Sequence, residues 1–143
     1  MTCLNCSDDF LLFLYKDLLL AREARSIDKK LPRKTEGTNI LDDAGITVIP
    51  AENKKEMELK LKLKPKDGDK WLNNLILNTG KQAILDQLFR HLRNAVAHAD
   101  FHCNEGRDTT VEIFHEYQGT KRLFGSVQQQ SLRNLVRLVK EDG

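Results

Sequence analysis

Three cysteines in 143 residues are too few for the dense disulfide framework of a small secreted domain. Neither charge sign is in excess. Twenty-three Lys and Arg against 21 Asp and Glu give a net charge of +2, so the whole-molecule field does not announce a nucleic-acid binder and a basic patch must be sought locally. No long apolar run is present either. The greasiest stretch, Phe10 to Leu20, is broken by Lys16 and Asp17 and is too short and too charged to span a bilayer. The N-terminus shows no basic segment leading into a pure apolar stretch, so no signal peptide is expected. There is no internal repeat and no low-complexity tract. What remains is a chain 40% hydrophobic and 31% charged, too apolar for a disordered tail and too charged for a membrane protein. It reads as one cytosolic domain over residues 1–143 with reduced thiols.

The first expected element is a helix from Asp8 to about Asp28. Ser7 is a cap candidate, and Phe10, Leu11, Leu14, Tyr15, Leu18 and Ala21 make its buried stripe. Residues 29–44 are polar, contain Pro32 and Gly37, and read as a loop. Ile46, Val48 and Ile49 form a short strand closed by Pro50. Met57, Leu59, Leu61 and Leu63 then alternate with Glu58, Lys60, Lys62 and Lys64, a period of two that predicts a strand with a lysine row on its outer face. Two helices are expected next, Lys70 to Asn78 and Lys81 to Ala99, separated at Thr79-Gly80. The second carries a core stripe of Ile84, Leu85, Leu88, Leu92, Val96 and Ala99, with Phe89 at its margin. Val111 to Tyr117 and Arg122 to Val127 read as a hairpin around Gln118-Gly119-Thr120-Lys121. A last helix, Gln129 to Glu141, buries Leu132, Leu135, Val136 and Val139. The expected architecture is mainly α: an antiparallel four-helix bundle with one or two β-hairpins added at its side.

The chemistry lies in Phe89-Arg90-His91-Leu92-Arg93-Asn94-Ala95-Val96-Ala97-His98-Ala99-Asp100-Phe101. At roughly 100° per residue, His91, Asn94 and His98 share a face turned away from the core stripe, and Arg93 lies roughly 140° from His98 around the axis. A histidine titrates near neutral pH and can act as acid or base. A guanidinium stays charged and binds phosphate oxygens as a fork. Asn94 can orient either without adding charge. On a helix face of this kind the plain alternative is a solvated surface with one histidine near the helix end.

Arg93-Asn94 followed by His98, within Leu92-Arg93-Asn94-Ala95-Val96-Ala97-His98, resembles the Arg-x4–6-His motif of the HEPN superfamily, helical proteins that are mostly metal-independent RNases. The resemblance covers about residues 8–28 and 69–141. Residues 29–68 match nothing and read as an insertion. It implies a homodimer in which both copies of Arg93, Asn94 and His98 line one cleft and cut RNA by attack of the 2′-OH, with no metal or other cofactor. The product would be a 2′,3′-cyclic phosphate and a 5′-hydroxyl. A role as a toxin or phage-defence effector, with an antitoxin or other protein partner, is implied by the same likeness. The alternative is an inactive HEPN module that binds RNA or a protein partner.

His91, one turn before Asn94, is a candidate assisting group, although a surface histidine is the plainer reading. Lys60, Lys62 and Lys64 could track phosphates, but such a row is more often edge protection, and no aromatic residue interleaves with it for stacking. Cys3 and Cys6 have metal-ligand spacing, yet His102 with Cys103 is the only nearby second pair, so no zinc site is expected. A redox Cys-x-x-Cys would need a βαβ setting that is missing here. Asp100 and His102 read as capping or loop groups.

Overall fold

A computed structural model describes residues 6–20, 40–62, 72–80, 83–104 and 109–142. The expected four-helix bundle is not what the chain forms. The centre of the molecule is a five-stranded mixed sheet of order β1-β2-β5-β4-β3, built from β1 (Thr47–Ala51), β2 (Asn74–Asn78), β3 (Phe101–Asn104), β4 (Thr110–Tyr117) and β5 (Thr120–Gln128). β1 and β2 run parallel, joined across α2 (Lys54–Lys62); the remaining neighbours are antiparallel.

Two segments exchange their expected structures. The alternating Met-Leu-Lys stretch is helix α2, not a strand. Its residues are Leu, Lys, Glu and Met with no β-branched side chain, all good helix formers. Its start is capped on both sides: Asn53 Oδ1 accepts from the Glu56 N–H at 2.9 Å, and the Glu56 carboxylate accepts from the Glu52 N–H at 2.9 Å. Met57 is buried, Leu61 half-buried and Leu59 exposed, so the period of two was an accident of composition. Conversely, the segment expected as a helix ending at Asn78 supplies β2. Leu75, Ile76 and Leu77 form a continuous apolar run because a central strand is covered on both faces; a run that short does not distinguish strand from helix by its pattern. Trp71 and the lead-in from residue 63 lie outside the described residues.

The first helix begins as expected. Ser7 Oγ accepts from the Phe10 N–H at 3.2 Å, and α1 (Asp8–Phe13) widens into a π-helical turn over Leu14–Leu20. Its further extent to Asp28 lies outside the described residues. Residues 40–44, expected as loop, are helical with Ile40, Leu41 and Ala44 buried. β1 and the β4–β5 hairpin fall where the sequence places them. The hairpin turn has two central residues, Gln118 and Gly119, with φ of 52° and 74°, the left-handed pair that matches the strand twist. β3 was not anticipated. The last helix, α4 (Gln129–Asp142), buries Leu132, Leu135, Val136 and Val139 as expected.

The helices divide between the two faces. α1, α3 (Ile84–Ala97) and α4 pack on Leu75, Leu77, Val111, Ile113, Leu123 and Val127, forming the main core. On the opposite face α2 covers a small cluster of Ala51, Met57 and Ile76. Arg133 of α4 lies over the Phe13 ring at 4.9 Å and bonds Asp9 at 2.8 Å, fixing α4 to α1. Contrary to the expectation of reduced thiols, Cys6 and Cys103 are joined as a disulfide that ties the start of α1 to β3. Among the described residues no helix is long and apolar enough to cross a membrane.

Two outcomes follow from this packing. A Cβ on Gly125 would collide with the Asn74 carbonyl oxygen and come within 2.9 Å of the Leu75 Cα. Gly125→Ala is therefore expected to destabilise the fold by about 3 kcal/mol, read as a lower urea midpoint. The cysteine pair is 97 positions apart. Reduction with dithiothreitol should lower stability by about 2–4 kcal/mol, because the unfolded chain regains the freedom that the link removes.

Candidate active site

Helix α3 carries the expected motif and ends in a turn that organises the site. His98 is its C-cap at φ −95°, ψ 1°, the sparsely populated bridge region. The Ala99 N–H donates to the Val96 carbonyl at 3.1 Å and the Asp100 N–H to the Ala95 carbonyl at 2.8 Å, a paired closure of the helix end. Such a closure needs a left-handed residue, and Ala99 adopts φ 57° at a cost of about 1 kcal/mol relative to glycine. The chain then reverses into β3, and the Phe114 N–H donates to the Asp100 carbonyl at 3.1 Å. This bond brings the loop after α3 onto β4.

β4 turns Val111, Ile113 and His115 inward. His115 is 1% exposed, and its Nδ1–H donates to the Asp100 carboxylate at 2.9 Å. Its ring sits between two others. The His98 ring lies at 5.9 Å and 17°, nearly parallel, and the His91 ring at 6.2 Å and 39°. Three imidazoles thus form a row from the exposed His98 inward. Among the described residues no group of three or more His, Cys, Asp or Glu is placed to hold a metal ion.

His91 is the inner end and is not a surface histidine. It is 6% exposed, because the sheet reaches around the flank of α3 that a single core stripe leaves to water. Its Nε2–H donates to the Asn78 carbonyl at 3.2 Å, which leaves Nδ1 as the bare acceptor of the neutral ring. Among the described residues Nδ1 meets no hydrogen-bond partner, nor does the buried Arg122 Nε. Burial above all, opposed by the Asn78 bond and reinforced by the electrostatic effect of the neighbouring His115, Arg122 and Arg90, lowers the His91 pKa to about 4. Arg122 is placed by the register shift in the β4–β5 pairing, where Glu116 faces Lys121 and His115 faces Leu123. The extra residue of such a bulge re-aims its side chain.

Arg93 is half-buried, and its Nη1–H donates to Asn94 Oδ1 at 3.1 Å. Asn94 is in turn joined to His98 by the helix itself, the His98 N–H donating to the Asn94 carbonyl at 3.0 Å. His102 stands on β3 with its side chain exposed. The lysine row is dispersed. Lys60 and Lys62 are on α2, which packs on the sheet face opposite His115, and Lys64 lies outside the described residues.

Sequence reasoning missed His115, Asp100 and Arg122 as members of the site. For His115 the signal was present, since two-residue alternation from Val111 through Ile113 puts it on the inward face. For Asp100 and Arg122 no local pattern exists; a helix-end reversal and a strand bulge set their positions.

Over residues 9–142 the chain matches the HEPN pEK499 p136 family, and it belongs to that family. HEPN families are generally associated with RNase activity, and their domains typically act as dimers and bind RNA. No curated protein and no solved structure matches the chain.

The depressed His91 pKa has a stability consequence. The unfolded chain binds the proton near pH 6.5 and the folded one only near pH 4, so acid favours unfolding within that window. Urea unfolding should show a loss of about 2 kcal/mol between roughly pH 7.5 and pH 5, a slope that His91→Gln removes.

Proposed function

We propose that this chain is a metal-independent endoribonuclease acting through the RNA 2′-OH. His98 takes the 2′ proton or gives a proton to the departing 5′ oxygen. Arg93 holds a non-bridging phosphate oxygen and stabilises the charge of the pentacoordinate phosphorane, and Asn94 orients the Arg93 fork. The 2′-oxygen forms its bond to phosphorus as the bond to the 5′-oxygen breaks, leaving a 2′,3′-cyclic phosphate and a 5′-hydroxyl. One histidine cannot be base and acid in the same step. A second copy of the chain, presenting its own Arg93, Asn94 and His98 across a shared cleft, supplies the other. The observation that carries this reading is the position of His98: exposed at the end of α3, one turn beyond the Arg93–Asn94 pair, in a chain of the HEPN family.

The buried His91 cannot touch RNA and acts at most by supporting the row. Lys60 and Lys62 can meet only a part of the RNA that wraps to the far face. The setting we assign is a cytoplasmic toxin or defence effector, held in check by an antitoxin or another protein partner.

The test is direct. Purified protein in EDTA should cut tRNA or mRNA to products ending in a cyclic phosphate. His98→Ala should lower the rate by about 10²–10⁴-fold while dimer mass by light scattering is unchanged. RNA binding with no cleavage of any RNA would assign the chain instead as a binding module, and cleavage by His98→Ala at the wild-type rate would remove that histidine from the mechanism.

A further inference from the structure

We infer that Asp100 and His115 form a positioning pair that sets the ring plane of His98. The inference rests on the reading of His98 as the reacting histidine, which the geometry extends. His98 is exposed at a helix end. On its inner side the His115 ring lies beside it, nearly parallel, at 5.9 Å and 17°. That ring is itself fixed from two directions. Its Nδ1–H is bonded to the Asp100 carboxylate at 2.9 Å. Behind it stands His91, held by the Asn78 carbonyl at 3.2 Å. Asp100 is fixed in turn by its own backbone, bonded to Ala95 on one side and Phe114 on the other.

His115 acts through His98 and not on the substrate, since it is 1% exposed. It is no proton relay either. Among the described residues no hydrogen bond joins the His115 and His98 rings, which lie nearly parallel at 5.9 Å. What passes along the row is orientation: a fixed plane for the imidazole that must meet the 2′-OH within hydrogen-bond reach. The carboxylate also selects the His115 tautomer, because an acceptor at Nδ1 keeps the proton there.

Three variants separate this role from simple support of the fold. Asp100→Ala removes the anchor at a side chain 28% exposed and leaves the buried His115 Nδ1–H without its acceptor, so its fold is checked by circular dichroism. Asp100→Asn keeps an acceptor for the His115 Nδ1–H. His115→Leu removes the stacking face at similar volume. In proton–carbon NMR spectra, the His98 ring signal carries the ring-current displacement of its neighbour. It should move to the position of a freely rotating histidine in Asp100→Ala and His115→Leu and stay at the wild-type position in Asp100→Asn. If His115→Leu does not fold, Asp100→Ala gives the same reading. In the RNA-cleavage assay Asp100→Ala should lower kcat by roughly 10- to 100-fold with KM unchanged, and Asp100→Asn should restore most of it. A His98 signal that does not move in Asp100→Ala overturns the pairing, as does an Asp100→Asn protein as impaired as Asp100→Ala. Wild-type protein that cuts no RNA would defeat the nuclease reading alone, because the ring signals still decide whether His98 is held.

Discussion

The reversal at His98-Ala99-Asp100 is the constraint on which the rest of this molecule depends. Two backbone hydrogen bonds, from Ala99 to Val96 and from Asp100 to Ala95, turn a helix into a strand within three residues. The exposed histidine stands on the helix side of that turn and the carboxylate on the strand side. Without the left-handed Ala99 the chain would leave α3 in another direction. β3 would then not meet β4, and Asp100 would not meet His115. A small local strain is thus traded for the join between the helix and the sheet that carry the site.

Elements whose local pattern and tertiary role agree were legible in the sequence. The stripe of α4, the inward face of α3 as far as Val96 and the β4–β5 hairpin with Gln118-Gly119 at its tip each bury what their periodicity turns to the core, whereas Ala99, expected in the α3 stripe, is exposed beyond the helix end. Elements failed where the pattern was a by-product. Leucines and lysines alternating from Met57 to Lys62 imitate a strand, but their intrinsic preference and the Asn53–Glu56 cap favour a helix. Leu75-Ile76-Leu77 imitates a helix segment because a strand buried on both sides has no polar face. Exchanging those two segments turns a hairpin-decorated bundle into a sheet with a parallel βαβ unit, so the class of fold changed through two short misreadings.

The site shows the same division. Arg93, Asn94 and His98 could be selected because their spacing lies within one helix and resembles a family pattern. His91 was misplaced for a physical reason: a helical wheel assigns water to every position off the stripe, whereas α3 lies in a sheet wide enough to cover its flank as well. His115 could be placed inward by strand parity, but not opposite His98, since that depends on the pairing of β4 with the chain beyond α3. The partners of a ring are properties of topology, while the ring itself is a property of sequence.

The sulfur link between Cys6 and Cys103 makes a covalent ring of everything from the start of α1 to the middle of β3. His91, Arg93, Asn94, His98 and Asp100 all belong to that ring. His115 lies on the open tail beyond it, with the hairpin and α4. The row of imidazoles is therefore assembled across the seam between a closed loop and a free arm. A peptide bond broken inside the loop leaves a single molecule, whereas one broken in the turn of the hairpin leaves β5 and α4 attached by noncovalent packing alone.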